Sequence, residues 1–152
     1  MNEQKTITRV ANAQWMGDMR ARIQARDCPE FSSDEPVERG GLFEHPTPAE
    51  YMLGALTGCG AAHVELFANE VGMPLDDCAI AGRLTMERFA PGDPHAENGG
   101  VTGVELEIEV TSAGSAEQLE AVKEKFRAGC ILYLFMSAAT RVNDNWTLKR
   151  PG

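Results

Sequence analysis

The stretch that decides the fold is "PTPAEYMLGALTGCGAAHVELFANEVG", residues 46–72, which is the run of the chain richest in apolar and small residues. Its first residues carry the signals of a helix N-terminus: Thr47 at the N-cap, Pro48 at the first helical position and Glu50 three residues after the cap. Gly72 is a typical helix stop. The sequence therefore predicts one long helix from Pro48 to about residue 71.

Two glycines flank the thiol of Cys59 within this helix. Glycine in a helix interior costs about 1 kcal/mol relative to alanine, so Gly58 and Gly60 weaken the helix twice. In one interpretation the small residues permit close packing, and Cys59 is a small buried hydrophobe. In the other, the glycines break the helix, and Cys59 begins a second helix whose free N–H groups and dipole stabilise a reactive thiolate.

Two polar residues of the helix are candidates for a role at Cys59. His63 lies four residues later on the same face, where the pair could form a thiolate–imidazolium couple or two ligands of a metal site. With no acidic or cysteine neighbour at a matching spacing, we expect no metal and interpret His63 as a polar residue at the core edge. Glu50 lies about 180° around an unbroken helix and about 13 Å away along it, so a role requires the break or a second subunit. Otherwise Glu50 caps Thr47.

Alternating apolar and polar residues predict strands on both sides of this helix. Residues 6–16 and 19–26 are expected to form a hairpin around the turn signal at Gly17 and Asp18. Residues 78–89 and 104–110 predict an antiparallel pair joined by a loop over 91–103.

The C-terminal third predicts a second helix and a last strand. Ser115 is the expected N-cap, and Leu119, Val122 and Phe126 recur at helical spacing to form a buried stripe. Gly129 interrupts this helix before the apolar run "CILYLFM", and a short strand is expected over 145–149. The predicted fold is a single α+β domain, residues 1–152, with helices packed on antiparallel sheet.

Composition narrows the range of functions. The chain has 152 residues, an apolar fraction of 43% and a net charge of −9, and this charge argues against binding to nucleic acid or to anionic membranes. The N-terminus lacks the apolar core of a secretion signal, and no apolar run approaches a membrane span, so we expect a cytoplasmic protein. The four cysteines include no C-x-x-C pair, which argues against a zinc ribbon or a thioredoxin-type motif.

Several motifs, taken in order, resemble the OsmC/Ohr family, that is, osmotically inducible protein C and the organic hydroperoxide resistance proteins. They are "ANAQWMGDM" at 11–19, the D-E-P…G-G loop within "SSDEPVERGG" at 32–41, and P-T-P-x-E followed by the small-residue helix with its cysteine at 46–75. A second cysteine near the start of a later helix completes the pattern. Two details resemble the broader OsmC-like branch. One is the spacing from "PTPAEY" to Cys59, and the other is Ile131, which follows Cys130 where many members have proline.

The resemblance implies a fold, an assembly and an activity. The fold is α+β, with antiparallel sheets around a long central helix and a second helix, made as an intertwined homodimer with sites at the subunit interface. The activity is reduction of organic hydroperoxides by a thiolate, with an external dithiol as reductant and no bound cofactor. By position, Cys59 matches the peroxidatic cysteine, Cys130 the resolving cysteine and Glu50 the carboxylate of P-x-E.

The family peroxidases also place an arginine beside the thiolate, where a positive charge favours the ionised sulfur and orients the peroxide. Arg20 and Arg22, on one face of the second strand, and Arg39 in the following loop are the candidates. Each is otherwise a solvated surface residue. An alternative to the enzyme is a module that binds an apolar small molecule, suggested by a dense group of apolar helix residues: Met52, Leu53, Leu56, Leu132, Leu134, Phe135 and Met136.

Overall fold

The computed structural model describes residues 6–88 and 100–152. Its contacts divide the chain into two compact units, Met1–Tyr51 and Met52–Gly152, and each is described by itself. The expectation of a single domain stays a prediction. Among the described residues, no helix combines the length and apolar character needed to cross a membrane.

The first unit contains a three-stranded antiparallel sheet. Strands β1 (Ala11–Gly17), β2 (Arg20–Ala25) and β3 (Phe31–Ser33) lie in the order β1-β2-β3. The backbone turns between β1 and β2 at Asp18 and Met19, both of which have positive φ angles, at 49° and 56°. Such paired left-handed residues match the twist of a tight hairpin. The predicted opening hairpin is therefore confirmed, although its first strand begins at Ala11 and not at residue 6.

The loop after β3 is organised around the buried carboxylate of Asp34. Its two oxygens accept hydrogen bonds from the backbone N–H groups of Glu35 at 2.7 Å, Leu42 at 3.1 Å and Glu44 at 2.9 Å. A Cβ at Gly41 would lie 1.9 Å from the carbonyl oxygen of Glu35, so only glycine fits there. The D-E-P…G-G motif is thus a loop held closed by one side chain.

The same contacts set the charge state of Asp34. Burial by itself raises the pKa of this carboxyl, but the three backbone N–H groups and the nearby charge of Arg20 outweigh burial. The net effect is a pKa below the ordinary value, because hydrogen bonds to the ionised form favour it.

Helix α1 (Pro48–Glu70) begins and ends as its sequence predicts. At its start, the carboxylate of Glu50 accepts from the backbone N–H of Thr47 at 2.7 Å, while the N–H of Glu50 donates to the Thr47 hydroxyl at 3.3 Å. At its end, Gly72 has φ 68°, and the N–H of Met73 donates back to the carbonyl of Ala68 at 2.9 Å. This is the glycine-terminated cap that satisfies the last carbonyl groups of a helix.

The sheet of the second unit is mixed, not antiparallel throughout. Strands β4 (Asp77–Glu87) and β5 (Gly100–Thr111) pair antiparallel, as predicted. Strand β6 (Val142–Lys149) pairs with the other edge of β5 in parallel register, which corrects the expected antiparallel sheet. The parallel direction arises because two helices intervene between β5 and β6 and carry the chain back along the sheet. Of the loop predicted over 91–103, residues 91–99 lie outside the described residues, and β5 already begins at Gly100.

Those two helices are α2 (Ala116–Gly129) and α3 (Ile131–Ala139). Ser115 caps α2 with a reciprocal hydrogen-bond pair to Gln118, which confirms the predicted start. With α1, the described residues contain three α-helices. The resemblance had implied only a long central helix and a second helix. The chain leaves the helical conformation at Cys130, with φ −71° and ψ 111°, so the predicted interruption falls one residue after Gly129.

The core of the second unit lies between one face of β5 and the helices. Its members are buried apolar side chains at alternate positions of β5 and at helical spacing in α1 and α2: Val104, Leu106, Ile108, Val110, Leu56, Val64, Phe67, Leu119, Val122 and Phe126. The predicted buried stripe of α2 is confirmed. The glutamates of β5 lie on the face of that strand opposite its buried residues. Because strand residues alternate between faces, this pattern fixes the register of β5.

We expect Asp34→Asn to destabilise the fold, because the amide group of asparagine cannot accept hydrogen bonds from all three backbone N–H groups. The folded-state pKa of Asp34 lies below its unfolded value of about 3.9, so its contribution is complete above that value and is lost as the pH falls through the lower folded value. The difference in unfolding free energy between wild type and Asp34→Asn should therefore be constant above about pH 5 and shrink below about pH 4.

Urea unfolding followed by circular dichroism across this pH range measures that difference. Glu38→Gln removes an exposed carboxylate from the same loop and serves as the control, with little expected change. A gap between wild type and Asp34→Asn that persists unchanged at pH 3 would contradict a role for the ionised carboxylate.

Candidate active site

Helix α1 runs unbroken through Gly58, Cys59 and Gly60. The interpretation in which these glycines break the helix is wrong, and Cys59 lies in the interior of a 23-residue helix. Both ends of α1 are capped, and its buried face packs along the core, so the cost of two glycines, about 1 kcal/mol each, does not interrupt it. The environment of the Cys59 sulfur therefore comes from packing partners and not from a helix terminus.

The two glycines beside Cys59 differ in what surrounds them. A Cβ at Gly60 would lie 3.0 Å from Ile80 Cδ1 and 3.6 Å from the ring of Phe126. A Cβ at Gly58 would meet no atom of the described residues within 4 Å, apart from its chain neighbours and the adjacent backbone of its own helix. The close-packing interpretation thus holds for Gly60. Because Gly60 has no side chain, the ring of Phe126 on α2 can approach the backbone of α1 next to Cys59.

A second glycine makes a similar close contact from the other helix. A Cβ at Gly129, the last residue of α2, would lie 2.8 Å from Phe67 Cζ on α1. Cys130 follows directly and is fully buried. The Sγ atoms of Cys59 and Cys130 lie 3.8 Å apart, although 71 residues separate them in sequence. All four cysteines of the chain are free thiols.

Cys130, not Cys59, occupies a helix N-terminus. It is the N-cap residue of α3, and the backbone N–H groups of Tyr133 and Leu132 act on its sulfur to favour the thiolate. Burial has the larger effect and raises the pKa of the Cys130 thiol, and the neighbouring Cys59 raises it further. Together they outweigh the two N–H groups, so this pKa rises to about 11. Cys130 is therefore a protonated thiol at neutral pH, while the half-buried Cys59 is the more accessible sulfur.

His63 is the third side chain at this point of the fold. Its Nδ1 atom lies 3.5 Å from the Sγ of Cys59 and 2.8 Å from the carbonyl oxygen of the same residue, one helical turn earlier. One ligand atom each from Cys59, His63 and Cys130 all lie within 4.8 Å of one another. The structure thus brings together two thiols and an imidazole, although the sequence offered only a pair at helical spacing.

The corner between α2 and α3 is held by the carboxylate of Asp144 on β6. Asp144 is almost fully buried and accepts from Arg127 at 3.0 Å, from the hydroxyl of Tyr133 at 2.9 Å and from the indole N–H of Trp146. The hydrogen bond to Asp144 raises the pKa of Arg127, and burial followed by the same carboxylate raises the pKa of Tyr133. Because Arg127 and Tyr133 each lie three residues from Cys130, this network fixes the segment that carries the buried sulfur.

Glu50 is occupied by its capping role. Hydrogen bonds from the backbone N–H and then the hydroxyl of Thr47 lower the pKa of the Glu50 carboxyl. Since α1 is continuous, nine residues of helix place Glu50 on the opposite side from Cys59 and about 13 Å away along the axis. Within one chain the helix therefore does not bring these two side chains together.

The three candidate arginines belong to the first unit, where each contacts carboxylates. Arg20 lies 3.3 Å from Asp18 and 4.0 Å from Glu44, and this arginine is the least exposed of the three, with 22% of its side chain accessible. Arg22 pairs with Glu30 at 3.6 Å, and Arg39 pairs with Glu35 at 3.0 Å. The role of any of them at Cys59 stays a prediction.

Comparison with known proteins identifies the family. The model of the OsmC-like protein family matches residues 40–143, a segment that includes Cys59, His63 and Cys130. The chain belongs to the OsmC-like family. No curated protein matches it.

Solved structures share the OsmC-like fold at low sequence identity. An OsmC-like protein from Mycoplasma pneumoniae is 17% identical with a TM-score of 0.75, covering 98% of this chain and 99% of its own. An organic hydroperoxide resistance protein OsmC from Legionella pneumophila is 17% identical with a TM-score of 0.73, covering 95% and 99%. The organic hydroperoxide resistance protein of Bacillus subtilis is 15% identical with a TM-score of 0.65, covering 93% and 98%.

The sequence pattern names His63 as a candidate partner of Cys59 but favours an ordinary polar residue at the core edge, and it misses Asp144. The position of His63 four residues after Cys59 already places both side chains on one face of α1. Asp144 gave no signal, because a carboxylate in a short polar strand segment is usually exposed. Only the parallel pairing of β6 brings Asp144 beneath the α2–α3 corner.

We expect Asp144→Ala to lower the free energy of unfolding by about 2–4 kcal/mol, because it removes the acceptor shared by Arg127, the Tyr133 hydroxyl and the Trp146 indole. Denaturant unfolding monitored by tryptophan fluorescence measures the loss. Glu120→Ala removes an exposed partner of Lys123 and is the matched control, with a change below about 1 kcal/mol. Equal effects of the two substitutions would show that Asp144 does not hold this corner.

Proposed function

We propose that this OsmC-like protein is a thiol-dependent reductase of organic hydroperoxides, with Cys59 as the attacking sulfur and Cys130 as the resolving sulfur. The observation that carries the proposal is the 3.8 Å separation of two free sulfur atoms on different helices. A disulfide bond needs about 2.05 Å between its sulfurs, so rotation of side chains with a small shift of the α2–α3 corner would join them. The names of the similar proteins from Legionella pneumophila and Bacillus subtilis agree with this chemistry.

The difference in exposure supports the division of roles. Cys130 is fully buried, whereas Cys59 is half-buried and is the sulfur that a dissolved peroxide meets first. The Cys59 thiolate would attack one peroxide oxygen, the O–O bond would break, and the leaving oxygen would take up a proton to become an alcohol. Cys59 is then a sulfenic acid.

The second step consumes the buried thiol. The sulfur of Cys130 would attack the sulfenic sulfur of Cys59, forming the disulfide and releasing water. An external dithiol would reduce this disulfide and return both thiols, with no bound cofactor. This cycle requires a reducing compartment, in agreement with the expected cytoplasmic location.

We also propose the homodimer that the resemblance implies, with Glu50 and one of Arg20, Arg22 or Arg39 reaching Cys59 of the partner. Both units expose apolar side chains that an interface would cover: Trp15 at 74% in the first unit, and Ile131 and Phe135 at 67% each in the second. Charged residues from a partner would supply the positive charge that a peroxide-reducing thiolate needs. Sedimentation of the purified protein should give twice the mass of one chain, and a monomer would exclude this assembly.

The alternative of a module that binds an apolar small molecule has weaker support. Of the seven apolar residues that suggested it, five pack into or against the core: Met52, Leu53, Leu56, Leu132 and Met136. The remaining two, Leu134 and Phe135, are exposed.

Cys59→Ser should reduce the consumption of tert-butyl hydroperoxide, with dithiothreitol as reductant, to the rate without protein. Cys130→Ser should retain the first step and accumulate a sulfenic acid that dimedone traps. Mass spectrometry of the wild type after brief peroxide treatment should find one disulfide joining Cys59 and Cys130. Cys28→Ser, which alters an exposed cysteine, is the control and should behave as wild type. Thiols that remain unchanged after peroxide treatment would refute the proposed activity.

A further inference from the structure

The two thiols and the imidazole at the centre of the second unit form a set of soft metal ligands. Cys59 and His63 extend from one face of α1, one helical turn apart, and Cys130 approaches from the start of α3. Their ligand atoms all lie within 4.8 Å of one another. Thiolate sulfur and imidazole nitrogen are the ligands that Zn²⁺ prefers in proteins.

Two separations within the cluster match those of a tetrahedral zinc site. With Zn–S bonds of about 2.3 Å and Zn–N bonds of about 2.0–2.1 Å, tetrahedral angles place two sulfurs about 3.8 Å apart and a sulfur and a nitrogen about 3.5 Å apart. The observed distances are 3.8 Å between the two Sγ atoms and 3.5 Å from Cys59 Sγ to His63 Nδ1. Two of the three pairs of ligand atoms therefore already have the separations of a tetrahedral site, and the third pair, on Cys130 and His63, lies within 4.8 Å.

We propose that the reduced protein binds one Zn²⁺ per chain through Cys59, His63 and Cys130, with the fourth position open to water or to an external thiol. The sequence pattern predicts no metal here, because no third ligand follows at helical spacing after Cys59 and His63. The fold supplies the third ligand from a segment far along the chain.

Charge balance favours this occupant. Two thiolates and a neutral imidazole carry a charge of −2, which one Zn²⁺ cancels, so a buried Cys130 can be ionised without leaving an unpaired charge in the core. His63 must exchange its contact with the Cys59 carbonyl at 2.8 Å for the metal, which requires a rotation of the ring or a change of tautomer.

Metal binding and disulfide formation exclude each other, because both use the same two sulfurs. If the proposed function holds, a hydroperoxide takes two electrons from the two zinc thiolates. The S–S bond forms, the O–O bond breaks, two protons are taken up to give the alcohol and water, and Zn²⁺ leaves. Binding itself needs no peroxide and is tested on the reduced protein alone.

The experiment titrates Zn²⁺ into the full-length protein, reduced with a phosphine, in competition with a chromophoric zinc chelator. We expect one equivalent bound per chain. With Co²⁺ as a spectroscopic probe, we expect thiolate-to-cobalt charge-transfer absorption and the intense visible bands of a tetrahedral ion. Cys59→Ser and Cys130→Ser should lose the stoichiometric binding, and His63→Ala should weaken it by about tenfold or more.

Two controls and a second measurement keep the test independent of folding defects. Cys28→Ser and His45→Ala remove a thiol and an imidazole outside the cluster and should bind Zn²⁺ as the wild type does. Wild-type protein oxidised with diamide to the Cys59–Cys130 disulfide should bind no Zn²⁺ and should recover binding on reduction.

The outcomes separate this inference from the proposed activity. Absence of stoichiometric Zn²⁺ binding by the reduced wild type overturns the inference, and so does binding that His63→Ala leaves unchanged. A protein that forms the peroxide-induced disulfide but binds no Zn²⁺ refutes the metal site alone. A protein that binds Zn²⁺ with thiols inert to peroxide supports the metal site and refutes the activity.

Discussion

The close approach of two helices at their glycines is the constraint on which the site depends. Gly60 admits the ring of Phe126 to the backbone of α1, and Gly129 admits the ring of Phe67 to the end of α2. A glycine in a helix costs about 0.5–1 kcal/mol relative to alanine, and burial of an aromatic side chain more than offsets this. The sulfurs of Cys59 and Cys130 are neighbours because no Cβ atom separates these rings from the backbone.

Features fixed by local signals could be predicted from the sequence. The opening hairpin, both ends of α1, the start of α2 and the antiparallel pair β4–β5 follow from caps, turns and alternation, which act over a few residues. The continuity of α1 could not be predicted, because the two glycines argue locally for a break, and the packing of the helix's buried face against other elements offsets their cost. The direction of β6 and the position of Asp144 likewise depend on how α2 and α3 return the chain to the sheet.

The candidate site also has parts that the sequence predicts and parts that it does not. Resemblance named Cys59 and Cys130 as a pair, and helical spacing related His63 to Cys59, but no local pattern relates His63 to Cys130. The two acidic motif residues, Asp34 and Glu50, both accept hydrogen bonds from backbone N–H groups in the first unit. A structural role therefore explains in part why these carboxylates occur in the motifs: Asp34 holds a loop and Glu50 caps a helix. A short motif alone does not distinguish such a structural role from a catalytic one.

The parallel pairing of β5 and β6 also bears on how the chain folds. A parallel pair needs a long crossover, here the segment from α2 through α3, and contacts so distant in sequence form slowly because the loop they close must first lose its entropy. Cys59 precedes Cys130 by 71 residues, so during synthesis the first thiol leaves the ribosome well before its neighbour exists. The dithiol is therefore a product of late folding, and a nascent or locally opened chain carries two ordinary, separate thiols.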